Sequence, residues 1–419
     1  MTDPFSSAET ELPPAALEGV RVLDVSGPMG NYCGKMFADL GADVILVEPP
    51  RGTPLRREPP FIEARPGIER SLTYAYHNTS KRGITLDLDT PSGQALFRNL
   101  AATADLVIET EMPGVMALRG LGYEALAALK PGLVLASITA FGQSGPYAQY
   151  HGQDIVALAL GGLLYLGGYP DVAPTRVYGN QAFLCANMYG AVAAMIAVLE
   201  TEVSGRGQHV DISMQECVVM GLENAAQFYD LEGTIRKRTA GEGRFAGHGM
   251  FECRDGYVYM LAGGIGENRF WGRTVKWLMD ENVERAGSLQ APEWTNLEFL
   301  RTADAKRTFK EIFTRWSRTK TKAEIFHEGQ RRHLPIAAVN SPADVLENRQ
   351  LQYRGFFVGL EHHLRDEPMV APGAPYRLSE TPWRIQRVAP RLGEHNAEVY
   401  ESIGIDRAAL ARLYCAGVV

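Results

Sequence analysis

The sequence predicts a doubly wound α/β fold joined to a second, smaller domain of different texture. Three observations carry that expectation. Short, mostly apolar runs alternate with helical patterns through the first 141 residues, and strands buried on both faces of a parallel sheet read as such runs. The first run passes through a Gly/Pro loop and one helix directly into the second, which is a βαβ unit. After residue 215 the chain turns into a basic, glycine-rich connector and then into charged helices.

Taken in order, "VRVLDV" (20–25) is the first strand, bounded by Gly19 and Gly27. "GPMGNYCGKMFADLGA" follows as a loop and a helix with Tyr32, Met36, Phe37 and Leu40 at helical spacing, closed by Gly41. "DVILVE" (43–48) is the second strand. The pattern repeats as a helix at 91–103, a strand at 105–109, a helix at 121–129 and a strand at 133–141. Residues 236–256 form the connector, and "YVYMLAG" is a strand after a turn at Asp255-Gly256. Residues 269–328 are helical, with Trp271, Trp277, Phe309, Phe313 and Trp316 as core positions. "LPIAAVN" (334–340) resumes α/β texture, "EHHLRD" (361–366) reads as an exposed loop without metal-ligand spacing, and a proline-rich tail follows. The polar segment 1–16 reads as a disordered leader.

Composition narrows the function. A net charge of −7 gives no broad electrostatic case for nucleic acid or an anionic membrane. Five scattered cysteines without CxxC spacing argue for reduced thiols in a cytoplasm and against a zinc site. The uncharged run 182–199 is rich in Ala and contains Asn187 and Gly190, so it reads as a closely packed buried helix rather than a membrane span. "SGPMGNYCG" lacks GxGxxG spacing, which counts against a nicotinamide enzyme.

Several segments together resemble family III CoA-transferases: "LEGVRVLDVSGPMGNYCGKMFADLGADVILVEPP", "NTSKRGITLDLD", "SITAFGQSGPY", "SGRGQHVDISM", "RDGYVYM" and "APRLGEHNAEVY", in family order from residue 17 to about 400. The resemblance implies a Rossmann-like large domain built from both chain ends (17–230 and 346–419), a connector and smaller inserted α+β domain (236–345), and an interlocked dimer. It implies coenzyme A thioesters as substrates, with no permanently bound cofactor and no metal. In such enzymes an aspartate carboxylate attacks the thioester, and positioning with a stabilised oxyanion supplies most of the acceleration.

That aspartate lies 22 or 23 residues before the first glycine of GRGQ, which is Gly205 here and points to Ala182 and Phe183. No Asp or Glu occurs between Asp171 and Glu200, so the resemblance assigns no catalytic residue to this chain. The racemase branch of the family uses a His-Asp pair where this chain has Gln153-Asp154, with His151 two positions earlier, and an amide is no general base near neutral pH. By the same resemblance, Met29, Gly30, Asn31, Arg51, Lys81, Arg82 and Arg119 are the CoA-side residues. Thr110-Glu111 replace an Asn-Phe pair that touches the adenosine, and an acid there counts against a polyphosphate. "AGEGRFAGHG" (240–249) matches the family's glycine-rich loop, with Arg244 and His248 as substrate-loop candidates.

Three readings follow. The chain is one subunit of a heteromeric CoA-transferase whose aspartate sits on a paralogous partner, as in two-subunit members acting on benzylsuccinate. Alternatively it is self-sufficient through another nucleophile such as Cys185 or Glu223, or it is a silent acyl-CoA-binding homologue.

Overall fold

The computed structural model describes residues 13–263 and 270–419. The chain divides into two compact units. One holds the segments up to Tyr165, Arg176–Arg236 and Arg354–Val419, and the other holds Leu166–Thr175 and Lys237–Tyr353.

The larger unit is built on six parallel strands: β1 (Arg21–Asp24), β2 (Asp43–Glu48), β3 (Arg82–Thr85), β4 (Leu106–Glu109), β5 (Val134–Thr139) and β6 (His209–Ser213), in the order β3-β2-β1-β4-β5-β6. This is the doubly wound Rossmann order. Alternation along each strand sends successive residues to opposite faces. Val22, Val44, Ile108, Ala136 and Ile138 meet the Asn31–Ala38 and Gln181–Ser204 helices on one face. Leu23, Ile45, Val107 and Leu135 meet Phe97, Leu126, Tyr400 and Leu410 on the other. Helix starts follow local chemistry: Thr90 Oγ1 accepts the Gly93 N–H (3.1 Å) with Pro91 in the first turn.

The Gln181–Ser204 helix ends at Gly205, whose φ of +71° is the left-handed cap. It is the one helix among the described residues long and apolar enough to cross a membrane. The sequence reading made its uncharged run a closely packed buried helix. In the chain only the small-residue side is buried (Ala182, Ala186, Gly190, Ala194, Ala197), while Met188, Tyr189, Val192, Ile196, Leu199 and Val203 are exposed.

The smaller unit is α+β. Strands β7 (His248–Cys253), β8 (Gly256–Leu261) and β9 (Ile336–Ala338) form an antiparallel sheet. Helices Trp271–Asp280, Ala303–Ser317 and Lys322–Arg331 complete it. The five predicted aromatic core residues are buried, and Trp277 meets Trp316 edge to face with ring centroids 4.8 Å apart.

Three expectations need adjustment. Residues 166–175 group with the smaller unit, and its end lies at Tyr353 rather than at 345; Lys322 Nζ pairs with Asp344 in the first of the two short helices after β9. "EHHLRD" is the tip of a hairpin formed by β10 (Phe357–His362) and β11 (Arg365–Pro372). His362 is buried there, its Nδ1 accepts the Leu364 N–H (3.1 Å), and burial pushes its pKa down to about 4. Of the expected leader, residues 1–12 lie outside the described residues, as does residue 269 where the helical stretch was to begin. Residues 13–16 are tied in: the Pro13 carbonyl accepts from Arg384 Nη1 (2.9 Å).

Candidate active site

The position to which the resemblance assigns the nucleophile, Ala182 or Phe183, falls in the first turn of the Gln181–Ser204 helix. Phe183 is half-buried there against the sheet's core. The backbone donors that the helix start leaves open go to a carboxylate from another helix. Asp154 Oδ1 accepts the Ala182 N–H (2.7 Å) and the Phe183 N–H (3.3 Å), satisfying donors that a helix start leaves open. Asp154 is buried, and its Oδ2 has no hydrogen-bond partner among the described residues.

One turn further on, Asn187 ties this helix to the loop after β1. Its Oδ1 accepts the Cys33 N–H (2.6 Å), and its Nδ2 donates to the Met29 and Phe183 carbonyls (2.7 Å each). Met29, Gly30 and Asn31 are thus brought beside the Phe183 turn. Gly30 is confined: a Cβ there would stand 2.6 Å from Ser26 Cβ and 2.7 Å from Thr110 Cγ2. Asn31 is buried, with Nδ2 donating to the Ser26 carbonyl (2.8 Å). Asp154 and Asn187 were not singled out as functional from the sequence. The signal for Asn187 was a lone amide inside an otherwise apolar run; Asp154 was visible only as the neighbour of Gln153.

The basic residues fare unequally. Lys81 is fully buried, and its three ammonium protons go to Asp24 Oδ2 (2.7 Å), the Asn31 carbonyl (2.7 Å) and Asn78 Oδ1 (2.8 Å). An ammonium has three donors, so none remains for a phosphate; Lys81 is a post under the Asn31 loop, which corrects the CoA-contact expectation. Arg82 holds Asp43 through two nitrogens (2.9 and 2.8 Å) and Glu398 (3.1 Å). Arg119 holds Asp89 and Glu111. Arg51 is exposed, and its guanidinium has no hydrogen-bond or ion partner among the described residues.

The alternative nucleophiles are poorly placed. Burial and then the charge of Asp154 push the Cys185 thiol above its usual range, which suppresses the reactive thiolate. Glu223 sits exposed at φ +51° in the turn after the Met214–Met220 helix.

In the smaller unit the glycine-rich loop is a tight turn leading into β7. The Gly243 N–H donates to the His248 carbonyl (3.0 Å), and a Cβ on Gly243 would stand 2.1 Å from that oxygen. Only glycine fits there. Arg244 is exposed, with no partner among the described residues. His248 Nε2 pairs with the Tyr259 hydroxyl (2.9 Å), and burial followed by Arg244 lowers its pKa, favouring neutral imidazole. A cavity of about 350 Å³ borders the loop, with Phe245, His248, Lys306 and Lys310 in its wall. Among the described residues no group of three or more His, Cys, Asp or Glu could hold a metal ion.

Comparison with known proteins agrees with this layout. Residues 17–396 match CoA-transferase family III. The chain is 39% identical to the succinyl-CoA:(R)-benzylsuccinate CoA-transferase subunit BbsE of Thauera aromatica, over 95% of this chain and 97% of that one. It is 32% identical to the succinyl-CoA–L-malate CoA-transferase alpha subunit of Chloroflexus aurantiacus, over 98% and 94% respectively. A CAIB/BAIF family protein from Brucella suis superimposes with a TM-score of 0.81 at 28% identity, covering 93% of this chain and 99% of that chain. With the six-strand parallel order and a family match across nearly the whole chain, this protein is a CoA-transferase belonging to family III.

Proposed function

We propose that this chain is one subunit of a heteromeric CoA-transferase that moves CoA from an acyl-CoA such as succinyl-CoA to a carboxylic acid, with the nucleophilic aspartate on a paralogous partner. The observation that carries it is Phe183: an apolar ring stands at the nucleophile position, and the acid-free span 172–199 offers no substitute. Two of the relatives are named as subunits of succinyl-CoA-dependent transferases, which supports both a partner and that donor.

In this reading the partner's carboxylate attacks the thioester carbonyl, expelling CoA thiolate and leaving a mixed anhydride. The thiolate attacks the carboxylate's own carbonyl, releasing the donor acid and forming an enzyme thioester. The acceptor carboxylate then repeats these exchanges in reverse, ending as its CoA ester. This chain's share is support: the Asn187-clamped loop and Phe183 turn of the larger unit shape its side of the site. In the smaller unit, the exposed Arg244 is suited to take a carboxylate by a two-pronged contact. The two subunits interlock as family members do, and the exposed apolar side of the Gln181–Ser204 helix supports a large buried interface.

The test is transfer from succinyl-CoA to a panel of carboxylic acids. The chain alone stays at background, and co-expression with an Asp-bearing paralogue gives an active complex. An Asp→Ala change in the partner abolishes that activity. Robust transfer by the purified chain alone overturns the reading.

A further inference from the structure

The strand order fixes where a nucleotide enters the large unit. β1 and β4 are neighbours, yet the helix after β1 packs on one face and the Tyr123–Ala127 helix after β4 on the other. The loops leaving those two strands therefore diverge, and this switch point is where open α/β sheets take ligands. Here the two lips are joined. Thr110 Oγ1 accepts the Gly27 N–H (2.8 Å), a backbone donor of the kind that phosphate oxygens use. Thr110 Cγ2 fills the space above Gly30.

A cation on the β4 side, Arg119, is spent as well. Arg119 Nη1 donates to Glu111 Oε1 (2.8 Å), while its Nε and Nη2 reach Asp89 Oδ1 (2.9 and 2.7 Å). Glu111 is itself anchored, because its N–H donates to Glu109 Oε2 (2.6 Å). Two carboxylates thus outnumber the one guanidinium they hold, and this cluster as a whole is net negative, which disfavours a polyphosphate beside it.

We infer that Thr110 and Glu111 close this chain's own nucleotide crevice, so that each heteromeric pair holds its acyl-CoA in the partner's crevice alone. The second clause rests on the heteromeric reading; the first is a property of this chain. Both residues fall in the turn "ETEMPG", so a two-residue change separates a closed crevice from an open one.

The full chain is titrated calorimetrically with 3′-phosphoadenosine 5′-diphosphate, the nucleotide part of CoA. Wild type shows no saturable binding in the micromolar range, whereas Thr110→Ala/Glu111→Gln, which frees the Gly27 N–H and removes one of the two carboxylates on Arg119, binds at least about tenfold more tightly. Glu111→Gln alone, at a side chain 42% exposed, keeps the fold should the double variant not, and gives the same direction of change. Equal affinity in wild type and variants overturns the inference, as does a folded variant that still fails to bind. Either result leaves the heteromeric reading standing, because partner-dependent transfer is measured separately on the co-expressed complex.

Discussion

Phe183→Asp restores a carboxylate at the family position, and the surroundings set its effect. Removing a fully buried Phe costs about 3–5 kcal/mol, so a half-buried ring loses roughly 2 kcal/mol of packing. The charge adds to that. Asp154 Oδ1 already takes the N–H groups of residues 182 and 183, so the helix end that would stabilise a new anion already serves one. Two carboxylates at one helix start repel by roughly 1–3 kcal/mol at an effective dielectric near 20. Phe183→Asn separates the parts, since it removes the ring without adding charge. Desolvation and repulsion raise the new carboxyl's pKa in the folded state above its unfolded value near 4. As pH rises from about 4 the unfolded chain gives up that proton first, so the gap in stability between Phe183→Asp and Phe183→Asn opens with rising pH and closes below pH 4. Urea unfolding of both variants from pH 4 to 8 reads it, and transfer activity of the variant chain stays at background. Wild-type stability for Phe183→Asp, or a gap independent of pH, would mean a solvated side chain and refute the reasoning.

Burial pushes the Glu109 carboxyl up to about 7, so the folded chain keeps a proton that the unfolded chain releases near 4.5; stability falls as pH rises between these values, by an order of 3 kcal/mol in all, and Glu109→Gln flattens that window in pH-dependent urea melts. Lys81→Ala strands the buried Asp24 carboxylate and lowers stability by about 3–5 kcal/mol; a variant of unchanged melting temperature with a raised KM for acyl-CoA would restore the phosphate-contact role. Arg244→Ala alters stability by less than about 0.5 kcal/mol, as expected of an exposed residue without partners, yet raises KM for the acceptor acid in the active complex; unchanged kinetics remove the loop from the site.

The strands that sequence reasoning located best, at 20–25, 43–48, 105–109 and 133–141, are the ones buried on both faces, where an unbroken apolar run is compatible with little else. β6 stood out only as part of a motif. It is an edge strand reading His-Val-Asp-Ile-Ser, and its polar alternation hides it. The hairpin at 357–372 was missed because "EHHLRDE" looks solvated, although His362 turns inward. Lys81 shows the limit most clearly. Its partner Asp24 lies 57 positions away, and a lysine beside an arginine before a strand gives no local sign of which one the fold will bury. The acid-free span, by contrast, was fully legible, because the absence of Asp and Glu over 28 positions does not depend on packing. What the sequence did not reveal was that the Ala182 and Phe183 N–H donors are already taken by Asp154.

The Gln181–Ser204 helix bears on assembly and on chemistry at once. An amphipathic helix serving its own chain's core turns large apolar residues inward and polar ones outward. Here the inward side is small, because Gly190 approaches the sheet so closely that a Cβ would stand 3.1 Å from Ile138 Cδ1. The outward side is the larger and equally apolar one. Six of its side chains, Met188, Tyr189, Val192, Ile196, Leu199 and Val203, are between 44% and 89% exposed. Completing their burial is worth roughly 1 kcal/mol each, a gain that this chain does not realise by itself. A solvated helix would have polar residues there, so the composition of the outward side argues for a protein surface against it. The same helix begins with the Phe183 turn, to which the proposed function assigns the missing nucleophile, so a chain docking along it would reach that turn. One element thereby links the two halves of the proposal, assembly and division of labour, and a substitution on its outward side should disturb both together.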